Sequence, residues 1–220
     1  MEHELRVFDD LDSLSETAAS YVARVVCEAV ESDGECHVAV SGGRSPWGTF
    51  SRLAQLDMPW DRTVVWQVDE RVAPAEDPDR NLVHLREALG DEAAEIRPMP
   101  VEDTDVEMAA RRYGAALPAR FHLVHLGLGP DGHTASLVPD DEVLEVDDRP
   151  VAMTSTAYEG RRRMTLTYPA LARAEQLLWI VSGQDKRTPL AKLLAADPSI
   201  PAGRVEATAS LVMADRAAAP

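Results

Sequence analysis

Apolar positions recur at helical spacing from Leu14 through Ala18, Val22, Val25 and Val26 to Ala29, which predicts an amphipathic helix over about 13–32. Ser13-Leu14-Ser15-Glu16 reads as its capping box and Gly34 as its end. A short apolar run, His37-Val38-Ala39-Val40, then stops at Ser41-Gly42-Gly43, and Pro46 suits the first turn of a new helix. That is a strand, a glycine turn and a helix start. The pattern recurs: Val64–Val68 reads as a strand, with a polar loop from Asp69 to Arg80 leading to a helix capped by Asn81. A helix near 104–117 precedes the strand Phe121–Leu126 and a glycine-rich loop from Gly127 to Gly132. Pro150–Thr154, Arg163–Thr167 and Leu177–Val181 read as further strands, the last followed by a helix over about 185–195. The Ala-rich tail from Ala217 is expected to fray. Strands buried on both faces and separated by helices predict an α/β fold, doubly wound, with a mainly parallel sheet and helices on both faces. Nothing in the composition divides the chain, so residues 1–220 are expected to form a single domain.

Charge narrows the partners. The chain carries 22 basic and 38 acidic residues, a net charge of −16, so neither nucleic acid nor an acidic membrane surface is expected to bind it. Lys186 and Lys192 are the only lysines; the other basic residues are arginines. Cys27 and Cys36 are too few for a disulfide framework and read as reduced core residues. The acidic start, Met1-Glu2-His3-Glu4, lacks the basic character of a signal peptide, and no apolar run approaches a membrane span. A soluble, cytoplasmic protein, monomeric and acting on a small molecule, is the expectation.

In a doubly wound sheet, ligands bind beyond the carboxyl ends of the strands. Three loops there carry polar chemistry. Ser41-Gly42-Gly43-Arg44-Ser45-Pro46 brings backbone N–H groups, two hydroxyls and a helix N-terminus to one turn, which suits an anion but also an ordinary tight βα turn. Asp69-Glu70-Arg71 places three charges immediately after an apolar strand, natural for a cleft or for a solvated cluster. Gly127-Leu128-Gly129-Pro130-Asp131-Gly132-His133-Thr134 holds an aspartate and a histidine two residues apart on a constrained path, and His133 is the natural general base. Arg161-Arg162-Arg163, entering a strand in so acidic a chain, suggests anion binding. The other histidines lie in plain elements. No metal-ligand spacing or cofactor motif is present, so no metal and no cofactor is expected.

Together these loops are more specific than any one of them. V-A-V-S-G-G-R-S-P, V-D-E-R-V-A-P followed by R-N, L-G-L-G-P-D-G-H-T-A-S-L-V-P and R-M-T-L-T-Y occur in this order. The chain closely resembles the 6-phosphogluconolactonases over roughly residues 35–195. The resemblance implies a Rossmann-like fold shared with the glucosamine-6-phosphate deaminases. It also implies hydrolysis of 6-phospho-D-glucono-1,5-lactone in the oxidative pentose phosphate pathway, without metal or organic cofactor. By that resemblance the phosphate turn falls on Ser41, Gly42, Gly43, Arg44 and Ser45, the Asp-Glu-Arg motif on Asp69, Glu70 and Arg71, and the loop histidine on His133 after Asp131. The arginine opening the later strand falls on Arg163, and a later lysine, in a looser match, on Lys186. Met164 stands where valine is usual, and Val138 where phenylalanine is common.

The residue types suit that chemistry. A lactone needs water deprotonated as it attacks, which His133 can do, oriented by Asp131 or Asp69. It needs positive charge where the carbonyl oxygen becomes an oxyanion, which Arg71 or Arg163 can supply. Two other functions on the same fold would need residues of a different kind. An aminosugar-phosphate isomerase/deaminase would carry a glutamate before the proline of its histidine loop, where this chain has Leu137-Val138-Pro139. A non-catalytic sugar-phosphate sensor would need a basic DNA-binding segment, for which this acidic chain leaves no room.

Overall fold

The computed structural model describes residues 2–90 and 95–220. Seven parallel strands form the main sheet: β1 (Glu4–Phe8), β2 (Cys36–Val40), β3 (Thr63–Gln67), β5 (Glu95–Arg97), β6 (Phe121–Leu126), β9 (Ala174–Val181) and β10 (Ala209–Asp215). Their spatial order is β1-β10-β9-β6-β2-β3-β5. A smaller antiparallel sheet, in the order β4-β8-β7, is built from β4 (Asp69–Arg71), β8 (Arg163–Leu166) and β7 (Val151–Met153).

The strand interiors show why the main sheet is covered on both sides. Along β9, Leu177, Trp179 and Val181 enter one apolar core while Leu178 and Ile180 enter the other. Successive side chains on a strand point to opposite faces, so a wholly apolar run belongs in a sheet packed on both. One face is closed by α1 (Leu11–Asp33), α2 (Arg44–Leu53) and α3 (Asn81–Leu89). The other is closed by α4 (Val106–Ala116), α6 (Arg187–Leu194) and the small sheet, with the short α5 (Tyr168–Leu171) beside it. None of the described helices is long and apolar enough to cross a membrane.

Several expectations need correction. Helix α1 starts before Ser13: Asp10 is the N-cap and accepts a hydrogen bond from Ser13 N at 2.8 Å, so Ser13 lies inside the first turn. Asn81 does not cap α3; its own backbone N–H is one of those needing a cap, and a distant carboxylate supplies it, as shown below. The stretch from Asp69 is not all loop, because Asp69–Arg71 forms β4. β7 and β8 lie in the small antiparallel sheet and not in the parallel one. β1, β5 and β10 were not expected. Cys27 is exposed, on the solvent side of α1, while Cys36 is buried as expected. The tail is held: Ala218 is fully buried and its N–H donates to Asp215 Oδ1 at 2.8 Å.

Candidate active site

β2 and β6 are neighbours at the centre of the sheet, but β2 continues to β3 on one side and β6 to β9 on the other. Their carboxyl ends therefore diverge, opening a crevice at the topological switch point. Ser41 N donates to His125 O at 3.2 Å, stitching the first turn to the end of β6. Gly43 has φ +123°, a conformation that side-chain-bearing residues avoid, and is the N-cap of α2 without a side-chain cap. The turn thus presents open backbone N–H groups at a helix N-terminus. A cleft of about 390 Å³ opens above it.

β4 sorts its three charges by alternation. Asp69 and Arg71 line the cleft, while Glu70 turns away and is fully buried. Glu70 accepts from Asn81 N at 2.9 Å and Leu82 N at 2.8 Å, so it caps α3 from another element. It also accepts from Gln67 Nε2 at 2.9 Å and pairs with the buried Arg80, whose Nε lies 3.1 Å away. Arg80 in turn reaches Glu102 at 2.8 Å and donates to Ala73 O at 3.0 Å. Glu70 is therefore structural.

Freed from capping, the Asn81 side chain serves the cleft. Its Nδ2 donates to Asp69 O at 3.1 Å and its Oδ1 accepts from Arg71 Nη1 at 3.0 Å. Asp69 Oδ2 accepts from Ser136 Oγ at 2.7 Å. Burial pushes the Asp69 carboxyl above its usual range, against the pull of the Ser136 hydrogen bond and of Arg163.

On the antiparallel ladder Arg71 stands opposite Arg163, and Asp69 opposite Thr165. Arg163 Nη2 donates to Glu159 Oε2 at 2.7 Å, while its Nε is buried with no partner. The other two arginines of the run turn elsewhere: Arg161 pairs with Asp77 at 2.8 Å and Arg162 with Glu107 at 2.9 Å.

His133 leaves the loop after β6 with its Nδ1 2.6 Å from Asp131 Oδ1. An ionised carboxylate only accepts, so Nδ1 carries the proton and Nε2 keeps its lone pair. Burial raises the Asp131 carboxyl, but the hydrogen bond from His133, and the charge of that ring once it is protonated, outweigh this and hold the group well below the usual carboxylate range. A β-carbon at Gly129 would fall 2.1 Å from His133 Nδ1, so the ring occupies space that only glycine leaves open. Across the cleft, Lys186 sits in a 3₁₀ turn after β9, paired with Asp185 at 3.1 Å. Asp215, at the end of β10, accepts from Ser182 Oγ at 2.5 Å and from Gly183 N at 3.2 Å, which sets that turn in place.

The sequence model of the glucosamine-6-phosphate isomerases/6-phosphogluconolactonase family matches residues 9–213. The chain belongs to this family. It is 35% identical over 202 residues to the 6-phosphogluconolactonase of Synechocystis, covering 84% of this chain and 83% of that protein. It is 34% identical over 192 residues to the human GDH/6PGL endoplasmic bifunctional protein, covering 80% of this chain but spanning only 24% of that longer one. The crystal structure of a 6-phosphogluconolactonase from Shewanella baltica superposes with a TM-score of 0.89 at 25% identity, covering 97% of this chain and 98% of the other. A monomeric glucosamine-6-phosphate deaminase shares the fold at 17% identity and a TM-score of 0.85.

Within this family fold, Ser41, Gly42, Gly43, Ser45, Asp69, Arg71, His133, Arg163 and Lys186 all line one cleft. Asp131 stands behind His133. The side chain of Arg44 lies outside the described residues. Sequence reasoning missed Asn81, Ser136, Tyr158 and Glu159. Asn81 carries a visible signal, the R-N after the Asp-Glu-Arg motif, though its residue type alone suggests a helix cap. Among the described lining residues, Arg71, Arg163 and Lys186 face Asp69, Glu159 and Asp185, a balanced set inside a chain of net charge −16.

Proposed function

We propose that the chain hydrolyses 6-phospho-D-glucono-1,5-lactone to 6-phospho-D-gluconate in the oxidative pentose phosphate pathway. The observation that carries this reading is the Asp131–His133 pair, proton on Nδ1, opening onto a cleft that two arginines share. His133 Nε2 takes a proton from water as the oxygen adds to the lactone carbon. Arg71 and Arg163 face the charge that develops on the carbonyl oxygen or the substrate phosphate. The ring C–O bond then breaks, and the imidazolium returns its proton to the leaving oxygen. The Ser41–Ser45 turn and Lys186 are read as the grip on the phosphate, whose binding energy aligns the ring. The substrate dianion meets a protein of like net charge, but with screening over ~8 Å it meets mainly the charges of the cleft, where, among the described residues, three cations offset three carboxylates.

Val138 favours lactone opening over deamination. It is buried and apolar where the deaminase loop would place a carboxylate for ring opening. The same reading takes 1–220 as one domain, since the chain passes from the large sheet to the small one at Val68 and both sheets line one cleft; it also takes the protein as monomeric and cytoplasmic. The test generates the lactone enzymatically and compares its decay with and without the protein. Acceleration over the spontaneous rate, with no ammonia released from an amino-sugar phosphate, supports the reading; binding of 6-phosphogluconate without turnover overturns it.

A further inference from the structure

No motif marks Tyr158, yet Asp131, His133 and Arg163 converge on it. Its hydroxyl donates to Asp131 Oδ2 at 3.1 Å and lies 3.3 Å from His133 Nδ1. Its ring meets the His133 ring edge-on at 5.2 Å between centroids. On its face, the Arg163 guanidinium carbon sits 5.0 Å from the ring centroid, a cation–π contact.

The tyrosine is itself held. Tyr158 N donates to Arg161 O at 3.0 Å and Arg161 N donates back at 3.3 Å, closing a two-residue turn with φ +51° at Glu159 and +80° at Gly160. Arg161 anchors that turn to Asp77 at 2.8 Å and Asp79 at 3.4 Å. So the run of arginines contributes in two ways: Arg161 fixes the turn, and Arg163 stacks on the ring that the turn presents.

The consequence for the base is geometric. Asp131 Oδ1 accepts from both the His133 ring and the His133 backbone N–H, at 2.6 and 3.1 Å. A carboxylate held by one oxygen alone can still swing about its χ2 axis. The hydroxyl on Oδ2 removes that freedom, and with it the swing of the imidazole.

Resting on the reading of His133 as general base, we propose that Tyr158 is a positioning residue. Its hydroxyl locks the Asp131–His133 pair and its ring seats Arg163, so that base and cation keep one spacing across the substrate. Burial and the neighbouring Asp131 push the phenol up to about 12, so it remains a donor throughout the working range.

The test measures kcat and KM of the full chain with enzymatically generated lactone for Tyr158→Phe, Tyr158→Ala, His133→Asn and Tyr158→Phe/His133→Asn. Tyr158→Phe keeps the ring and loses only the hydroxyl; kcat should fall about tenfold, the scale of one hydrogen bond to a charged group, with KM within about twofold. In the His133→Asn background the same change should cost less than about twofold, because there is no base left to orient. Tyr158→Ala should lose at least a further fivefold or so in kcat/KM as Arg163 loses its seat. A Tyr158→Phe enzyme with unchanged kcat overturns the proposal, as does a tenfold loss that persists undiminished beside His133→Asn, which marks a general structural effect. If His133→Asn alone turns over near the wild-type rate, the base assignment has failed and the proposal falls with it. If Tyr158→Ala does not fold, the Phe variant and its cycle decide.

Discussion

Arg71 and Arg163 stand directly opposite one another on neighbouring antiparallel strands, two like charges where cross-strand repulsion is strongest. The fold tolerates this by giving each a separate outlet: Arg71 donates to Asp79 O and Asn81, Arg163 to Glu159. Such a pair is poorly placed for stability and well placed for an anion. Arg71→Ala should therefore leave Tm unchanged or raised, while an arginine facing the oxyanion costs about 2–4 kcal/mol of transition-state stabilisation when truncated. An arginine that grips phosphate shows mainly in KM, so comparing Arg71→Ala with Arg163→Ala assigns the two roles. Losses below about threefold in kcat/KM for both would remove the pair from the mechanism.

His133→Asn keeps the size of the ring but cannot take a proton near neutrality. We expect kcat to fall by about 10² to 10⁴ with KM little changed. The acid-side fall of the wild-type kcat profile should vanish in the variant. An acid limb that persists unchanged would give the proton to Asp69 instead.

Two glycines separate binding from chemistry. Gly43→Val forces a branched residue into φ +123° in the Ser41–Ser45 turn, and if that turn grips phosphate as proposed, KM should rise strongly. Gly129→Ala instead drives a β-carbon against His133 Nδ1 and Asp131 Oδ1, so kcat should fall while affinity for 6-phosphogluconate survives. Isothermal titration with the product, alongside steady-state kinetics, distinguishes the two.

Glu70 and Arg80 are buried together. Glu70→Ala removes the buried partner of Arg80, leaving it only the half-exposed Glu102, and uncaps α3, and unfolding in urea should show a loss of about 3 kcal/mol. Glu70→Gln should leave the acid limb of kcat where it stands, because this carboxylate never meets the substrate.

His125 is fully buried with both ring nitrogens unpartnered, and burial pushes it down to about 3. Its folded-state value lies below its unfolded one, so the unfolded chain binds the proton first as pH falls. Stability from this group is thus complete above about pH 6.5 and is lost between about 6.5 and 3, by roughly 2 kcal/mol at pH 5. His125→Leu should flatten that slope in urea midpoints measured across the range; an unchanged slope refutes it.

The legible parts of the fold were those buried on both faces. β6 and β9 announce themselves as unbroken apolar runs, whereas β1 and β5 are short, half-exposed edge strands whose polar residues carry no such signal. β10 is as buried as β9, but its Met213 and Ala214 favour helices, and no glycine turn introduces it. The cleft residues were visible because glycines and charges sit abruptly after apolar strands. What stayed hidden was pairing at a distance. No local rule brings residues 69–71 beside 163–165, or sends Glu70 to cap a helix eleven residues away, or stacks Tyr158 on Arg163.

The passage of the chain between sheets at Val68 has a further meaning. Val68 N donates to Val40 O in the large sheet, and Val68 O accepts from Leu166 N in the small one. The Ser41–Ser45 turn, proposed above as the grip on phosphate, hangs from the first sheet, and Arg71 and Arg163 from the second. The two halves of the site can therefore diverge independently in evolution. A descendant that rewrote β4 and β8 while keeping the Ser41–Ser45 turn would still hold a phosphorylated sugar by its tail, and would present a new chemistry to its ring.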